Sequence, residues 1–519
     1  MQGSLRLNSF YIYYFGLVVL VAGLPSSVFL MSLSLFIMFG AWLLSGNPLH
    51  KFRDFFHNRL ALVVSSVLLL HFIGLLYTTD MQEGLKDVRI KLPLFLLPLF
   101  ISTMPKLDER HFRWLLYLFC ASVFTGTMIS MGKYFGLGKT PITDPRQIAL
   151  VSHIRFSLMI CMAIFILAWS ARQNSSLKKN LLHFLLAAWF IFFLFLLESL
   201  TGIVVLLIVG GVWLSWLIFK KGKTWMKLSF LLGSGALVFL LYYTLRHEVD
   251  AFYEVHETAD IHHLDTITPH GHHYLNDLVN NNMQNGYYTG IYQCWEEMEP
   301  AWNKRSTIKF MDEDKKGNLV RFTLIRYLAS KGLRKDEDGV NALSEQDVRN
   351  IENGFPDYRY PQLPTLRTRI DGIIWEFNEY FKGKNPSGHS VTQRFEFWRA
   401  AAGIIKKNPL IGVGTGDQPD SFKAEYAGNG TQLTEKYRLR SHNQFLAITV
   451  AFGIIGLLWF CFALFYPLAQ NFYRRDFFYL TFFMIALISF INEDTLETQA
   501  GVTFFAFFNA LFLFARKTD

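Results

Sequence analysis

Apolar runs close to the length that crosses a lipid bilayer recur in both the N-terminal and the C-terminal parts of this chain. They restrict the folds that the chain can adopt. A membrane-spanning helix needs about 20 predominantly apolar residues. The chain is 51% hydrophobic and only 18% charged, whereas a soluble domain carries about 25% charged residues. The sequence therefore predicts an all-α polytopic membrane protein with about 12 transmembrane helices, at residues 10–24, 27–45, 61–77, 91–104, 114–132, 151–170, 182–198, 201–219, 228–245, 443–468, 477–492 and 501–515.

Basic residues mark one side of the predicted membrane. Lysine or arginine follows every even-numbered span, whereas Glu198–Thr201 has no base and Asn492–Gly501 is acidic. Because cytoplasmic loops are enriched in Lys and Arg, this alternation places both termini in the cytoplasm. These loops also account for the net charge of +9, so the charge does not indicate nucleic-acid binding.

One polar segment, between the ninth and tenth spans, is too long for an ordinary loop and predicts an ordered, mostly helical periplasmic domain. The predicted regions are spans one to nine over 1–245, the loop domain over 246–441 and spans ten to twelve over 442–519. Val340–Gly354 and Leu366–Phe381 are predicted to be helical. Ser390–Lys407 predicts an amphipathic helix, whose apolar face is formed by Phe395, Trp398, Ala402 and Ile405.

The same segment contains a dense histidine cluster at 262–273, which raises the question of a metal site. Neither a cysteine nor a clear carboxylate spacing supports such a site, so surface histidines are the favoured interpretation. The cluster consists of His262, His263, His270, His272 and His273. The four cysteines have no spacing that predicts a disulfide framework or a zinc site. No metal and no cofactor is predicted.

A histidine and an asparagine stand where this polar segment meets the tenth span. His442 and Asn443 precede an apolar run that holds Gly453 and Gly456. An ionisable group at a membrane boundary is costly and suggests function. On a continuous helix at about 100° per residue, both glycines fall within about 40° of His442, and small residues on one stripe let another helix approach. A helix cap with packing glycines is the alternative interpretation.

Several charged groups fall near predicted outer boundaries. Arg155 lies about one turn inside the sixth span; an inward or phosphate-facing role competes there with snorkelling to the interface. Arg394 opens the amphipathic helix, as either a functional group or an interfacial anchor. Arg89 and Lys91 precede the fourth span, as either an anion-binding surface or tolerated periplasmic charge. Arg440 and Asn443 are also candidate substrate ligands. Glu198 and the pair Glu493–Asp494 could orient a histidine, bind a sugar hydroxyl or be solvated helix ends.

The glycines Gly412, Gly414 and Gly416 form a loop with a superficial likeness to a phosphate-binding loop. The loop lacks the Lys-Ser/Thr pair of a P-loop, and no buried strand precedes it. A tight turn that returns the chain toward the bilayer is the favoured interpretation.

These motifs together resemble the O-antigen ligase family. His442-Asn443, nine residues and then Gly453-Ile454-Ile455-Gly456 is similar to the family pattern H-[NSQ]-x9-G-x-x-[GTY]. Arg394, the glycine loop and the layout of spans around a large loop also resemble the family. One departure is that the eighth span begins Glu198-Ser199-Leu200-Thr201-Gly202, where the family often has a Ser-Arg pair.

The resemblance implies a GT-C-like membrane fold in the bacterial inner membrane. It implies transfer of a glycan from undecaprenyl diphosphate to a sugar hydroxyl of lipid A–core at the periplasmic face, with inversion and without a metal. It makes His442 the essential histidine and Arg394 the loop arginine. Arg155, with Arg89 or Lys91, is the proposed substitute for the missing arginine. The oligomeric state stays open.

Three alternatives remain at this point. Two belong to the same superfamily: a polymerase of O-antigen or capsule repeats, and a protein O-oligosaccharyltransferase. The third is a polysaccharide transporter. A transporter predicts charges or broken helices near the middle of the membrane, whereas the polar residues here cluster at the outer boundary, which favours an enzyme.

Overall fold

A computed structural model describes residues 2–137, 145–173, 176–256, 263–279, 282–363, 365–470 and 476–516. The chain is mostly helical and divides into two compact units. Unit 1 comprises Met1–Leu217 and Gln393–Asp519, and unit 2 comprises Ile218–Thr392.

Among the described residues, ten α-helices precede unit 2 or lead into it. They are α1 (Gln2–Gly23), α2 (Val28–Leu44), α3 (Pro48–His57), α4 (Arg59–Leu75), α5 (Met81–Lys91), α6 (Pro93–Thr103), α7 (Glu109–Gly132), α8 (His153–Gln173), α9 (Leu177–Leu196) and α10 (Leu200–Lys221).

The described part of unit 2 contains six α-helices and a two-stranded antiparallel hairpin. They are α11 (Thr224–Tyr253), β1 (Met283–Gln284), β2 (Tyr287–Tyr288), α12 (Trp295–Arg305), α13 (Val320–Ser330), α14 (Glu337–Asn341), α15 (Glu345–Glu352) and α16 (Thr365–Phe381). Unit 1 resumes with α17 (Thr392–Lys407), α18 (Gln418–Gly428), α19 (Gln444–Ala469), α20 (Phe477–Asn492) and α21 (Gln499–Ala510), which a π-helical turn, Leu511–Ala515, extends.

Each predicted span coincides with a helix, but fewer of these helices are long and apolar enough to cross a membrane. Five described helices qualify: Glu109–Leu137, His153–Gln173, Leu200–Lys221, Thr224–Tyr253 and Gln444–Ala469. A sixth is added if Val28–Leu44 and Pro48–His57, which meet at a bend of 107°, form one span. The others, such as Arg59–Leu75, are shorter apolar helices. The chain is thus a helical membrane protein, and the number of twelve stays a prediction.

Helix α8 is the most deeply buried long helix of unit 1. Every residue from Arg155 to Leu167 is buried, because α7, α9, α20 and α21 all pack against this helix. A guanidinium group in that position is far from water, so it must find anionic or polar partners within the protein.

Helix α19 is broken in its middle. Gly453 has φ 61° and ψ −164°, a backbone region that is essentially restricted to glycine. The glycine loop packs into the break, where the amides of Val413 and Gly414 donate to the carbonyls of Val450 and Ala451 at 2.9 Å each. The amide of Ile454 in turn donates to Pro409 at 2.9 Å. The loop therefore satisfies backbone groups that the break leaves unpaired.

This break overturns the helical face predicted for His442, Gly453 and Gly456. The predicted face requires a continuous helix from His442 to Gly456. In the structure, α19 begins after His442 and is interrupted at Gly453. A Cβ atom on Gly453 would lie 2.2 Å from the backbone of Leu410, and one on Gly412 would lie 2.3 Å from the backbone of Ala451. The glycines admit a loop, not a neighbouring helix.

We expect Gly453→Ala to lower the unfolding midpoint of the purified protein in detergent. The alanine would cost about 1–3 kcal/mol in backbone strain alone, in addition to its clash with Leu410. Gly235→Ala is the matched control, because a Cβ there meets nothing within 4 Å and alanine is favoured in a helix. Equal midpoints for the two variants would contradict this account of the break.

The buried face of α17 differs from the predicted face. Phe397, Ala400, Ala401 and Ile404 are buried, whereas Trp398 is 38% exposed and Ala402 is exposed. Apolar residues at helical spacing occur on both sides of this helix, so the spacing alone cannot show which side is buried. The predicted side was the wrong one. The correct face matters because it places Phe397 beside His442.

Unit 2 has a core of its own. Trp302, Tyr327 and Leu328 are fully buried among residues of α12 to α15. The predicted helix at 366–381 is confirmed as α16, and the one at 340–354 is two helices, α14 and α15. They separate at Ser344, whose side chain and that of Asp347 form a capping box that begins α15.

Candidate active site

His442 stands immediately before α19 in a strained backbone conformation. Its φ is 46°, in the left-handed region that residues other than glycine seldom adopt. The next residue, Asn443, caps α19 because its side chain accepts from the amide of Leu446 at 3.0 Å. The His442 ring lies 5.4 Å from the Phe397 ring, centroid to centroid, and its side chain is 29% exposed. The imidazole is thus packed on one side and accessible on another.

Two carboxylates at the end of α20 face His442. Its Nδ1 lies 3.2 Å from Oε2 of Glu493 and 3.9 Å from Oδ1 of Asp494. Burial lowers the pKa of His442, but the hydrogen bond to Glu493 and the charges of both acids outweigh burial, so the pKa is raised. Burial raises the pKa of Glu493, yet its bond to His442 and the neighbouring arginines bring that pKa below its ordinary value. Glu493 is therefore an anion beside a basic imidazole.

Arg394 and Arg155 both contact Glu493, and Arg155 also contacts Asp494. Arg394 donates to Oδ1 of Asn492 at 2.8 Å and to Oε1 of Glu493 at 2.9 Å. Arg155 lies 3.5 Å from Oε2 of Glu493 and donates to the backbone carbonyl of Asp494 at 3.1 Å. Two guanidinium groups thus balance two carboxylates around one histidine.

The two arginines differ in exposure. The side chain of Arg394 is 26% exposed, whereas that of Arg155 is only 6% exposed. The Nε atom of Arg155 is buried and has no hydrogen-bond partner among the described residues. Arg394 is therefore accessible to a ligand, whereas Arg155 contacts Glu493 and Asp494 from within the protein.

Asn492 joins a further helix to the site. Its amide group donates to Oγ1 of Thr201 at 2.7 Å, while its carbonyl oxygen accepts from Arg394. Thr201 lies in the first turn of α10, at the stretch that lacks the family's arginine. Sequence reasoning missed Asn492 and Thr201, since an amide and a hydroxyl at helix ends carry no distinctive pattern.

A second ionic cluster is centred on Glu497, in the short turn between α20 and α21 that also contains Glu493 and Asp494. Glu497 accepts from Lys91 at 3.1 Å and from Arg440 at 3.1 Å. Lys91 is fully buried and also pairs with Asp87, whose second oxygen lies 3.0 Å from Nδ1 of His71. Lys91, predicted as a substrate ligand, thus has both sides of its ammonium group taken up by protein carboxylates.

The remaining predicted ligands have different surroundings. Arg440 is 33% exposed beside Glu497, and the Asn443 amide donates to the carbonyl of Ile491 at 2.7 Å. Arg89 is exposed and lines a shallow pocket with Glu83 and Lys86. Glu198 is exposed. Among these, Arg440 and Arg89 keep surface that a ligand could contact.

The glycine loop closes against α4 and α5. Thr415 donates through Oγ1 to the carbonyl of His71 at 2.7 Å, and the amide of Gly416 donates to Oγ1 of Thr78 at 2.9 Å. Asp417 accepts from the amides of Thr79 and Asp80. The loop's polar groups are thus engaged by protein, in keeping with the predicted tight turn.

Two histidines of the 262–273 cluster, His270 and His272, each pair with one acid. His272 lies 2.9 Å from Glu297 and His270 lies 3.3 Å from Asp338, while His262 lies outside the described residues. The one described group whose spacing suits a metal ion is His442 with Glu493 and Asp494, whose ligand atoms lie within 4.8 Å of one another. Both of these acids already contact guanidinium groups.

The arrangement of His442, Arg394 and the glycine loop agrees with a match to a known protein family. Residues 359–461 match the model of the family described as O-antigen ligase. This segment contains Arg394, the glycine loop, His442 and the break at Gly453, but neither Arg155 nor Glu493. A search of the curated proteins gave no match. The match indicates a glycan ligase or transferase, and residues 359–461 of this helical membrane protein are similar to the O-antigen ligase family.

Proposed function

We propose that the protein transfers an O-antigen-type glycan from undecaprenyl diphosphate to a sugar hydroxyl of lipid A–core. The observation that carries this proposal is the pairing of His442 with Glu493, flanked by Arg394 and Arg155. The family match supports a ligase or polymerase type of glycosyltransferase. The donor, the acceptor and the mechanism are parts of the proposal.

His442 acts as the general base. Its Nδ1–H donates to Glu493, with Nδ1 and Oε2 3.2 Å apart, which leaves the Nε2 lone pair free to take a proton. A neutral imidazole with a pKa near the working pH suits this task. The acceptor hydroxyl loses its proton to Nε2 as its oxygen attacks the anomeric carbon.

The bond between that carbon and the diphosphate oxygen breaks in the same displacement. The electron pair leaves with the diphosphate, which stays on its lipid, and the anomeric configuration inverts. Negative charge grows on the leaving group, so a fixed cation at that point stabilises the transition state. Arg394 has the exposed surface for this contact, while Arg155 positions Glu493 and Asp494.

The two substrates are both lipids with glycan headgroups, which suits a site at the ends of membrane helices. We place this site at the periplasmic face of the inner membrane, because the alternation of basic loops puts His442 on the outer side. The loop domain predicted over 246–441 lies on that side as well.

The test is a deletion strain complemented with wild type, His442→Ala or Arg394→Ala, with lipopolysaccharide resolved on a gel. Loss of polymer on the core, with long lipid-linked polymer retained, supports a ligase. A core that carries a single repeat unit points to a polymerase, and an unglycosylated protein with normal lipopolysaccharide points to a protein glycosyltransferase. Normal ladders from both variants would refute the assignment.

We expect Glu493→Gln to shift the acid limb of the pH–rate profile to lower pH. The active His442 is neutral, and its pKa is raised partly by Glu493, so wild-type activity falls as the pH drops through that raised value. Without the carboxylate the pKa falls, by about one unit for each 1.4 kcal/mol of lost interaction. The exposed Glu198→Gln is the control and should keep the wild-type profile. An unshifted acid limb would rule out Glu493 as the group that tunes the base.

We expect purified protein to transfer glycan at an unchanged rate after EDTA treatment. Both carboxylates of the His442 cluster already contact arginines, Glu493 through Arg394 and Asp494 through Arg155, so a divalent ion would have to displace a guanidinium group. The measurement is the initial rate with and without chelator, followed by added Mg²⁺ or Mn²⁺. A rate lost to EDTA and restored by either ion would contradict a metal-independent reaction.

A further inference from the structure

Unit 2 contains a large cleft that the proposed reaction does not use. Its volume is about 870 Å³, within the range of about 300–1,000 Å³ typical of small-molecule sites. Residues of α12, α13 and α16 form its walls. Much of this lining precedes residue 359, where the O-antigen ligase match begins.

Aromatic rings and balanced charges characterise the lining. Four aromatic side chains contribute to it: Trp295, Phe322, Tyr360 and Trp375. Three cationic and three anionic side chains stand among them, namely Lys316, Arg326, Lys384, Asp277, Glu376 and Glu379. A site for a polyanion would carry an excess of positive charge, which this cleft lacks.

One buried carboxylate in the lining is only half satisfied. Glu379 is 6% exposed, and its Oε2 lies 3.2 Å from Nζ of Lys384. Its Oε1 is buried and has no hydrogen-bond partner among the described residues. A buried acceptor without a donor is costly, so this oxygen is poised for a donor supplied by a ligand.

His389 offers a second unsatisfied atom in the same lining. Its Nδ1 is buried and has no partner among the described residues, and its ring stands edge-on to that of Trp375 at 5.5 Å. Burial, followed by the positive charge of Arg326, lowers the pKa of His389. The ring is therefore neutral, with one nitrogen that donates and one that accepts.

We propose that this cleft binds a short, uncharged stretch of oligosaccharide. A sugar hydroxyl both donates and accepts, so it can satisfy the Glu379 oxygen and the His389 nitrogen. The C–H faces of pyranose rings pack against aromatic side chains such as Phe322, which is 50% exposed. The cleft thus holds a glycan at a second place, separate from the His442 cluster.

The glycan can come from the lipid-linked donor or from the acceptor core, and this choice of sources rests on the proposed function. The ligand class does not, since it follows from the lining alone. Three probes separate the possibilities: the polysaccharide and the core oligosaccharide released by mild acid from the strain's lipopolysaccharide, and an array of short neutral oligosaccharides. Each is titrated against the full chain in lipid nanodiscs.

We expect saturable binding of at least one probe by wild type. Glu379→Gln should weaken it by about tenfold, and Phe322→Ala by about threefold to tenfold. The controls are Glu345→Gln and Phe381→Ala, since both side chains are exposed on helices of unit 2 and neither lines the cleft. Both controls should bind like wild type.

The outcomes separate this proposal from the proposed function. His442→Ala should retain glycan binding while it loses transfer, which shows two independent sites. Absence of saturable binding to every probe, or equal affinity of the cleft variants and their controls, would overturn the proposal. Any of these results would leave the test of His442 untouched.

Discussion

His442→Ala is expected to lower the rate of glycan transfer by about 10²- to 10⁴-fold, the usual contribution of a general base. Alanine removes the imidazole that Glu493 orients, while the carboxylates and arginines of the site keep their mutual contacts. Binding of the donor should change little. The loss should therefore fall on kcat more than on KM.

The measurement is the initial rate of transfer with purified donor and acceptor. His50→Ala is the control, because His50 is a histidine with 70% of its side chain exposed on α3, far along the chain from the site. Full activity of His442→Ala, with the fold intact by thermal unfolding, would remove this histidine from the mechanism.

Arg155→Met is expected to destabilise the protein by about 3–5 kcal/mol, the range observed when one partner of a buried ion pair is removed. Arg155 is buried in the first turn of α8, and methionine fills similar space without charge. Of the described cationic partners of these acids, Arg394 would remain on Glu493, and a protonated His442 would remain beside both Glu493 and Asp494. Burial raises the pKa of Asp494 already, so this acid would take up a proton first.

The measurement is the midpoint of thermal unfolding in detergent. Arg155→Lys should lie between wild type and Arg155→Met, because an ammonium group keeps the charge but not the two-pronged geometry. Arg246→Met is the control, since the ion pair of Arg246 with Asp250 is exposed and such pairs contribute little. A midpoint for Arg155→Met equal to that of Arg246→Met would mean that the buried charges are not coupled.

Charge in apolar surroundings was the signal by which sequence alone could find much of the site. Arg155 and His442 stand out for that reason, and Glu493–Asp494 was noticed as an acidic pair at a helix end. What the sequence could not give was their pairing, because His442 and Glu493 are 51 residues apart and meet only through packing of α19 against α20.

Local geometry limited the other predictions. Helical periodicity located every apolar helix, yet it cannot register a single glycine whose backbone leaves the helix, as Gly453 does. It also cannot choose between two apolar faces, so the buried side of α17 was predicted wrongly. Lys91 looked like a free cation because the acids that enclose it, Asp87 and Glu497, are visible as its neighbours only in three dimensions.

The short turn from Glu493 to Glu497 has a consequence for how substrates are exchanged. Its three acids contact side chains from α5, α8 and α17 and from the residues just before α19. In the proposed reaction, two bulky lipids arrive and depart in every cycle, yet the helix ends that meet here are held together by the five residues from Glu493 to Glu497. Separating them would strand several buried charges at once. We therefore expect the lipids to enter and leave elsewhere along these helices, while the turn from Glu493 to Glu497 stays in place during the reaction.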